Sequence, residues 1–186
     1  MGRKGDDTRG RLLDATQELV EAGGYFGAGM NQVIAASGMP RGSLYFHFPG
    51  GKDHMVAESL RRSGHRIEMA AQELAETAPD AAALVTGMLG LLGDRLEESG
   101  WRKGCPVATV ALEMAAGHDE LQQVCAGVYD SWEGALRDRL IADGHPEAED
   151  VATTVLALIE GALLLARTRR SREPLERVGR RITTLL

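Results

Sequence analysis

The stretch of sequence that decides the fold is residues 30–52, which read MNQVIAASGMPRGSLYFHFPGGK. Met30, Val33 and Ile34 have the spacing of one helix face, so they predict a short helix that packs against a core. Gly38 follows, and glycine is the residue type that most readily adopts the left-handed backbone at a helix end. The first part of the stretch therefore predicts a helix that ends at Gly38.

A second short helix is predicted from Arg41, because Pro40 cannot continue the first helix and disfavours helix at the residue before it. Residues 41–47 carry one clear core anchor, Leu44, among polar groups that a core would exclude. The major groove of DNA admits one α-helix, and the second helix of a helix-turn-helix places its N-terminal residues against base edges. The pattern therefore predicts a DNA-binding helix-turn-helix.

The residue types of this second helix suggest how it would bind DNA. Arg41 matches the acceptors of guanine and Ser43 can donate or accept, so both are candidate base readers together with Tyr45, while His47 and Lys52 would contact phosphate or sugar. The alternative is that the aromatic residues fill a core and that Arg41 is a solvated charge. The complete set of DNA-binding candidates is Asn31, Gln32, Pro40, Arg41, Gly42, Ser43, Tyr45, Phe46, His47 and Lys52.

The same residues resemble the TetR family of bacterial transcriptional regulators. The family pattern of Ile-Ala, Ala-Gly-Val, Lys-Gly-Thr-Leu-Tyr and His or Tyr before Phe corresponds here to Val33-Ile34, Ser37-Gly38-Met39, Arg41-Gly42-Ser43-Leu44-Tyr45 and His47-Phe48. Two further matches look like the LmrA/YxaF subgroup, namely Phe48-Pro49-Gly50-Gly51-Lys52 and Gly104-Cys105-Pro106-Val107-Ala108 with Leu112-Glu113.

The resemblance implies an all-α fold. An N-terminal three-helix DNA-binding domain, residues 1–51, would precede a larger helical domain, residues 52–186, that binds an effector and dimerises. One departure concerns Ala28-Gly29, which stands where the family commonly has a Ser or Thr that caps the first motif helix and touches a phosphate. Asn31 is the candidate to replace that contact.

The charge of the chain is unevenly distributed. Its 186 residues carry a net charge of −6, but residues 1–66 hold nine Lys or Arg against seven Asp or Glu, a net +2 that leaves −8 for the remainder. Exposed charges are screened beyond about 8 Å at physiological ionic strength, so an acidic body does not prevent phosphate binding by a mildly basic segment. Near the N-terminus the basic side chains form either an arm that contacts DNA or a solvated group; they are Arg3, Lys4, Arg9 and Arg11.

Apolar periodicity predicts helix over most of the chain. The predicted segments beyond the motif are residues 8–22, 52–77, 82–98, 107–116, 119–142, 147–168 and 174–185. Gly87, Gly90 and Gly93 interrupt one of them, which indicates either close helix packing or space for a ligand. The N-terminus has no apolar segment after its charges, so no signal peptide is expected and the protein should be cytoplasmic.

The most apolar run, residues 155–166, is too short for a membrane span and carries Glu160. A helix of this kind must be covered on nearly all sides, which calls for a second subunit. With residues 174–185 it matches the position of the TetR-family dimer interface, so we expect a homodimer through residues about 147–186. Because a buried carboxylate needs a partner, Glu160 should meet an arginine, a ligand donor or the other subunit.

Convergent apolar and polar groups in the body predict the effector site. The two tryptophans favour a bulky or aromatic effector, although they can equally be core residues. The effector candidates are Met88, Leu92, Trp101, Cys105, Thr109, Leu112, Glu113, Trp132 and Glu160.

The sequence and the resemblance thus predict a ligand-responsive transcriptional regulator, most often a repressor in this family, that binds a palindromic operator as a dimer. A small hydrophobic or aromatic effector is expected to release it. A helical small-molecule-binding protein without DNA binding is the alternative. An enzyme is disfavoured, because the pairs His54 with Glu58 and Glu113 with His118 lack a third ligand or a nucleophile. No cofactor and no metal site are expected, and two cysteines without a Cys-x-x-Cys spacing suggest buried thiols, with redox sensing left open.

Overall fold

The computed structural model describes residues 3–186, apart from the side chains of Arg3, Lys4 and Asp6. Over these residues the chain forms nine α-helices and no strand, which confirms the predicted all-α fold. The helices are α1 Arg3–Gly27, α2 Met30–Ser37, α3 Arg41–His47, α4 Gly51–Ala75, α5 Ala81–Glu98, α6 Pro106–Met114, α7 Asp119–Ala142, α8 Ala148–Arg169 and α9 Glu173–Ile182.

The described chain divides into two compact units that do not follow chain order. The first contains the described residues up to Gly64 and residues 106–128, so that the first half of α4, α6 and the beginning of α7 accompany the three N-terminal helices. The second contains residues 65–105 and 129–186. The functional division at residue 51 stays a prediction, since compactness does not report function.

In the first unit α1 is longer than the sequence predicts. It was expected over residues 8–22 but continues to Gly27, with an interruption at Gly24, where φ is 67° and ψ is −164°. Glycine tolerates this backbone because it has no Cβ. The interruption removes Tyr25 N–H from the regular helix, and a side chain from α6 accepts it, as described below.

The helix-turn-helix forms as predicted. α2 ends at Gly38, whose φ is 66° and whose N–H donates to the carbonyl of Ile34. Leu44 is fully buried and anchors α3 in a core. The residues that surround it in that core include Leu12, Leu13, Val33, Phe48 and Met55.

In the second unit α5, α8 and α9 enclose an apolar core. Its fully buried members include Val155, Ala166 and Ile182. Two of the three glycines of α5 allow close packing: an added Cβ would lie 3.2 Å from Leu74 at Gly87 and 2.8 Å from the Arg172 guanidinium at Gly93. Gly90 faces open space, so close packing explains only two of the three glycines.

α8 is the one helix of the described chain that is long and apolar enough to cross a membrane. A helix from a protein core or interface meets the same criterion, so this property alone is weak evidence for a membrane. Its apolar residues Leu164 and Leu165 are 60% and 44% exposed.

Candidate functional site

The second helix of the motif, α3, exposes aromatic residues to solvent, away from its anchor Leu44. Tyr45 is 44% exposed and Phe46 74% exposed, whereas Phe48 is fully buried. The alternative in which all three aromatics fill a core is therefore wrong for Tyr45 and Phe46 and correct for Phe48. Leu44 anchors α3 in the core, and the outer face of the helix is exposed. A face of this kind can enter the major groove of DNA, which admits one α-helix.

The first turns of α2 and α3 are joined by a side-chain contact. The guanidinium of Arg41 donates a hydrogen bond to the Oδ1 atom of Asn31, and both residues are exposed. This contact restrains the Arg41 side chain before any ligand binds. The remaining candidates nearby, Gln32, Pro40 and Gly42, are exposed, and Ser43 is half-buried.

The start of α2 lacks the side-chain cap that is common in the family. Gly29 occupies the N-cap position and forms no side-chain cap hydrogen bond. A Cβ at Gly29 would collide with the side-chain amide of Gln32, which lies against this backbone. The side chain of Gln32 therefore occupies the space in which a Ser or Thr at position 29 would place its own side chain.

The two predicted phosphate contacts, His47 and Lys52, are half-buried, whereas Arg41 and Tyr45 are exposed. His47 is half-buried, and its Nδ1 atom is buried without a hydrogen-bond partner among the described residues. The Nζ atom of Lys52 lies 3.9 Å from the centre of the Tyr25 ring, a cation–π distance. Burial lowers the pKa of Lys52, and the nearby carboxylates of Asp53 and Glu113 oppose that effect.

A hydrogen-bonded group lies next to Lys52. It consists of Tyr25, Asp53 and His118, and we call it the Tyr25 cluster. Tyr25 Oη donates to Asp53 Oδ1 at 2.5 Å, and Asp53 Oδ2 lies 3.0 Å from His118 Nε2. Burial, followed by the hydrogen bond and the negative charge of Asp53, raises the pKa of Tyr25 to about 12. The hydrogen bond from Tyr25 is the largest cause that lowers the pKa of Asp53.

Sequence reasoning missed this cluster. Its members come from the end of α1, the first turn of α4 and the residue before α7, which are 28 and 65 positions apart along the chain. No local spacing links such distant residues. The only available signal was that Asp53 and His118 are polar residues at or just before the start of the helices α4 and α7.

Three effector candidates lie on α6 in the first unit. Glu113 accepts a 2.6 Å hydrogen bond from Tyr25 N–H, so the structure gives this carboxylate a backbone partner. Leu112 is 84% exposed and Thr109 is half-buried. These three candidates belong to the first unit, and the candidates that follow belong to the second.

The other candidates lie in the second unit, where Glu160 is the most informative. Burial raises the pKa of Glu160, and hydrogen bonds with the side chains of Cys105 and Tyr129 act in the opposite direction. The ring of Tyr129 contacts that of Trp132 edge-on at 5.7 Å. The sequence did not indicate these two partners, which come from the same chain, and the ligand donor and the second subunit stay predictions for Glu160.

The remaining candidates of the second unit surround the same core. Leu92, Trp101 and Cys105 are partly buried and pack against the core of α5, α8 and α9, and Met88 is half-buried on α5. Tyr129 was absent from the predicted set. Its position three residues before Trp132 on α7 was the available signal, because residues i and i+3 share a helix face.

The pairs considered for an enzyme have other partners. His54 Nε2 lies 2.9 Å from Glu58 Oε1, and Glu58 also forms an ion pair with Arg9, so a metal ion would have to displace a cation already in place. Arg62, one helical turn after Glu58, forms its ion pair with Asp14 at 2.9 Å.

Glu113 and His118, the second pair considered for an enzyme, have different hydrogen-bond partners. His118 belongs to the Tyr25 cluster, whereas Glu113 accepts the Tyr25 N–H. The two side chains thus hold different groups in place.

The N-terminal arginines are only partly available. Arg9 pairs with Glu58 and its guanidinium lies 5.5 Å from the centre of the Phe48 ring, while Arg11 is exposed. The side chains of Arg3 and Lys4, also predicted for an arm, lie outside the described residues.

The two cysteines are free thiols. Burial raises the pKa of the Cys125 thiol to about 11, and its sulfur donates to the Val107 carbonyl at 3.8 Å. Such a thiol stays protonated at neutral pH and is a poor nucleophile. Cys105 is half-buried against the core of the second unit.

Comparison with known proteins agrees with the geometry of both units. Residues 12–58 match the family described as bacterial regulatory proteins, tetR family, and residues 81–181 match the LmrA/YxaF-like C-terminal domain of transcriptional regulators. The HTH-type transcriptional regulator LmrA of Bacillus subtilis is 32% identical over 182 residues, 97% of each chain. The HTH-type transcriptional repressor DhaR of Mycobacterium sp. is 24% identical over 176 residues, 86% of each.

Solved structures show the same fold. A TetR transcriptional regulator from Chloroflexus aurantiacus superposes with a TM-score of 0.84 at 25% identity, covering 98% of this chain and 96% of the other. The regulatory protein TetR from Rhodobacter sphaeroides gives a TM-score of 0.85 at 21% identity, covering 94% and 96%.

Proposed function

The chain belongs to the TetR family of bacterial transcriptional regulators, with a C-terminal domain of the LmrA/YxaF type, and from this premise we propose that it is a ligand-released repressor. It binds a palindromic operator as a homodimer in the cytoplasm. Residues 1–51 contact DNA, and residues 52–186 bind the effector and dimerise. DhaR and a second relative, KstR of Mycolicibacterium smegmatis, are both named repressors, which supports this direction of control.

The observation that carries the proposal is the exposed face of α3. Arg41, Tyr45 and Phe46 are exposed there, while Leu44 fixes the helix from behind. A short helix of this kind fits the major groove, where arginine pairs with guanine and an apolar ring contacts a thymine methyl group. Asn31 orients Arg41 and is placed to contact a phosphate when the arginine turns to a base.

Dimerisation completes the reading of DNA. One helix of seven residues contacts too few base pairs to select a site in a genome, so two copies are needed. A two-fold symmetric dimer then reads half-sites about 34 Å apart, one helical turn of DNA. An effector that binds better when the two α3 helices have another spacing releases the operator.

The effector site is proposed around Glu160. A carboxylate withdrawn from water, with a phenol and a thiol as its donors and an aromatic pair alongside, suits a bulky aromatic molecule that carries a hydrogen-bond donor. Leu92 and Trp101 supply apolar surface on the same core.

The test is the affinity of the protein for the DNA upstream of its own gene, measured by fluorescence anisotropy over a range of salt concentrations. Arg41→Ala should weaken binding by about tenfold or more, because a bidentate base contact contributes about 1–3 kcal/mol. Arg61→Ala is the matched control, since Arg61 is an exposed arginine on α4 outside the motif, and it should bind like wild type.

Two results would overturn the proposal. The first is affinity that does not fall as salt rises, which excludes phosphate contacts and favours the small-molecule-binding alternative. The second is an equal loss from Arg41→Ala and Arg61→Ala, which excludes a special role of α3. Footprinting with candidate aromatic effectors added then identifies the ligand that removes protection.

A further inference from the structure

Glu160 lies in the middle of α8, where its carboxylate is withdrawn from water. Burial raises the pKa of this group, and the two side chains that oppose the shift are the thiol of Cys105 and the phenol of Tyr129. Neither donor carries a positive charge, and a thiol is a weak donor. A carboxylate that is taken out of water without a cation costs free energy. Glu160 therefore favours a ligand that brings a positive charge to it.

Arg167 lies on the same side of α8 as Glu160, but its guanidinium binds a different group. The seven positions between the two residues correspond to two helical turns, about 10 Å along the axis. The guanidinium donates a 2.7 Å hydrogen bond to the carbonyl of Arg102, in the loop between α5 and α6. Its Nη1 atom lies beside Gly104, 2.9 Å from the position that a Cβ would occupy. The groups that lower the pKa of Glu160 do not include this arginine.

Two aromatic rings adjoin the carboxylate. The phenol of Tyr129 reaches Glu160, so a group that is bound there lies next to this ring. The Tyr129 ring meets the Trp132 ring edge-on, with 5.7 Å between the ring centres and 78° between the planes. The faces of aromatic rings carry negative potential and attract cations, and tryptophan does so most strongly. The carboxylate and the two rings therefore favour the same kind of ligand group.

The side chains around Glu160 suit an organic cation better than a metal ion. Magnesium and calcium ions need several oxygen ligands, whereas Glu160 supplies a single carboxylate. Among the residues that the structure describes, no group of three or more His, Cys, Asp or Glu residues could hold a metal ion. Leu92 and Trp101 add apolar surface on the same core, which suits an apolar body attached to the charged group.

We propose that the effector is an organic cation whose protonated nitrogen binds Glu160 and lies against the rings of Tyr129 and Trp132. The apolar part of the molecule packs on Leu92 and Trp101. An anionic effector would be repelled by Glu160, and a neutral one would leave the carboxylate without a counter-charge. The inference rests on the effector site of the proposed function and adds the charge of its ligand.

Two probes of the same shape test the charge of the ligand. The amine 2-naphthylmethylamine is protonated at neutral pH, whereas 2-naphthylmethanol is neutral and still donates a hydrogen bond. Isothermal titration calorimetry on the full chain measures the affinity of each probe. The amine should bind about tenfold or more tightly than the alcohol, because it adds an ion pair with the carboxylate and attraction to the ring faces.

Glu160→Gln should abolish the preference for the amine, since glutamine keeps the size of the side chain and removes its charge. Glu149→Gln is the matched control, because Glu149 is an exposed glutamate of the same helix and its substitution removes the same charge from the chain. This control should keep the preference that wild type shows. Thermal melts confirm that both variants are folded.

Three other results would overturn the proposal. If the alcohol binds wild type as tightly as the amine, the site does not select a cation, and the aromatic effector of the proposed function stands. A preference that persists in Glu160→Gln, or that Glu149→Gln loses equally, assigns the selection to the general acidity of the chain and not to Glu160. Binding of neither probe overturns the effector site around Glu160 itself.

Discussion

The phenol of Tyr25, at the end of α1, donates a 2.5 Å hydrogen bond to Oδ1 of Asp53 in the first turn of α4. The second oxygen of the same carboxylate lies 3.0 Å from Nε2 of His118. Lys52, the predicted phosphate contact, packs on the Tyr25 ring. The cluster thus holds the residue before Asp53 in a fixed place, which connects the packing of the first unit to the proposed DNA contact.

In a titration followed by the ultraviolet absorbance of phenolate, the folded protein should show an ionisation near pH 12 that is missing in Tyr25→Phe. The pKa of Tyr25 is raised from 10.0 to about 12 by burial and by Asp53. Because the folded pKa exceeds the unfolded one, this contribution to stability is complete below pH 10 and is lost as pH rises toward 12. An unchanged titration curve in Tyr25→Phe would contradict the assignment.

Asp53→Asn should lower the free energy of unfolding by about 1–2 kcal/mol at neutral pH, since one hydrogen bond to a charged group is lost at a partly exposed site. The pKa of Asp53 is lowered from 3.8, chiefly by the hydrogen bond from Tyr25. The stabilisation is therefore present above pH 3.8 and disappears as pH falls below it. Urea denaturation at several pH values measures the effect, and exposed Asp130→Asn is the control.

Loss of Asp53 should also weaken DNA binding, because Lys52 would lose a neighbour that holds it. The comparison with Lys52→Ala separates the two roles. If Asp53→Asn destabilises the protein and leaves DNA affinity unchanged, the cluster is structural only.

Most of the fold was predictable because it depends on local signals. Gly38 and Pro40 mark the turn between α2 and α3, and α7 begins and ends where apolar periodicity predicted. The end of α1 was not predictable. Gly23-Gly24 resembles a helix end, but Glu113, 88 residues away, accepts the Tyr25 N–H and stabilises one more turn beyond Gly24.

Two substitutions on α3 should separate folding from DNA binding. Leu44→Ala creates a cavity at a fully buried position and should cost about 2–5 kcal/mol of stability. Phe46→Ala removes a ring that is 74% exposed, so it should change stability by less than about 0.5 kcal/mol and still weaken operator binding. Thermal melts and anisotropy on the same samples check both. Operator affinity that is unchanged in Phe46→Ala would exclude the ring from the interface.

Glu160→Gln should become relatively more stabilising as pH rises. Burial raises the folded pKa of Glu160 above 4.5, so its contribution to stability is complete below pH 4.5 and is lost as pH rises through the folded pKa. Glutamine has no such ionisation, and each unit of raised pKa is equivalent to about 1.4 kcal/mol. Denaturation of both proteins from pH 4 to pH 8 measures the difference, and a difference that stays constant with pH would contradict the burial of the charge.

The partners of Glu160 illustrate what the sequence could not reveal. A carboxylate within an apolar run indicated that a partner exists, but the partner comes from two other segments, the loop with Cys105 and the middle of α7 with Tyr129. Only tertiary packing brings these together. The exposure of Leu164 and Leu165 on α8, in contrast, agrees with the sequence-based expectation. A helix that is apolar on nearly all sides is expected to need a second subunit to cover it.

Gly161→Leu should weaken dimerisation by about tenfold or more and leave the fold of each chain intact. The added side chain meets nothing within 4 Å in its own chain, so it affects only what approaches α8 from outside. Overfilling a close helix contact typically costs about 1–3 kcal/mol.

Gly127→Leu is the matched control, because Gly127 is also an exposed helical glycine with open space at its Cβ. Sedimentation equilibrium gives the two dimer dissociation constants. The two α3 helices of a dimer must be joined to read both half-sites, so Gly161→Leu should also lower operator affinity. If Gly161→Leu dimerises as tightly as Gly127→Leu, the dimer interface lies elsewhere on the protein.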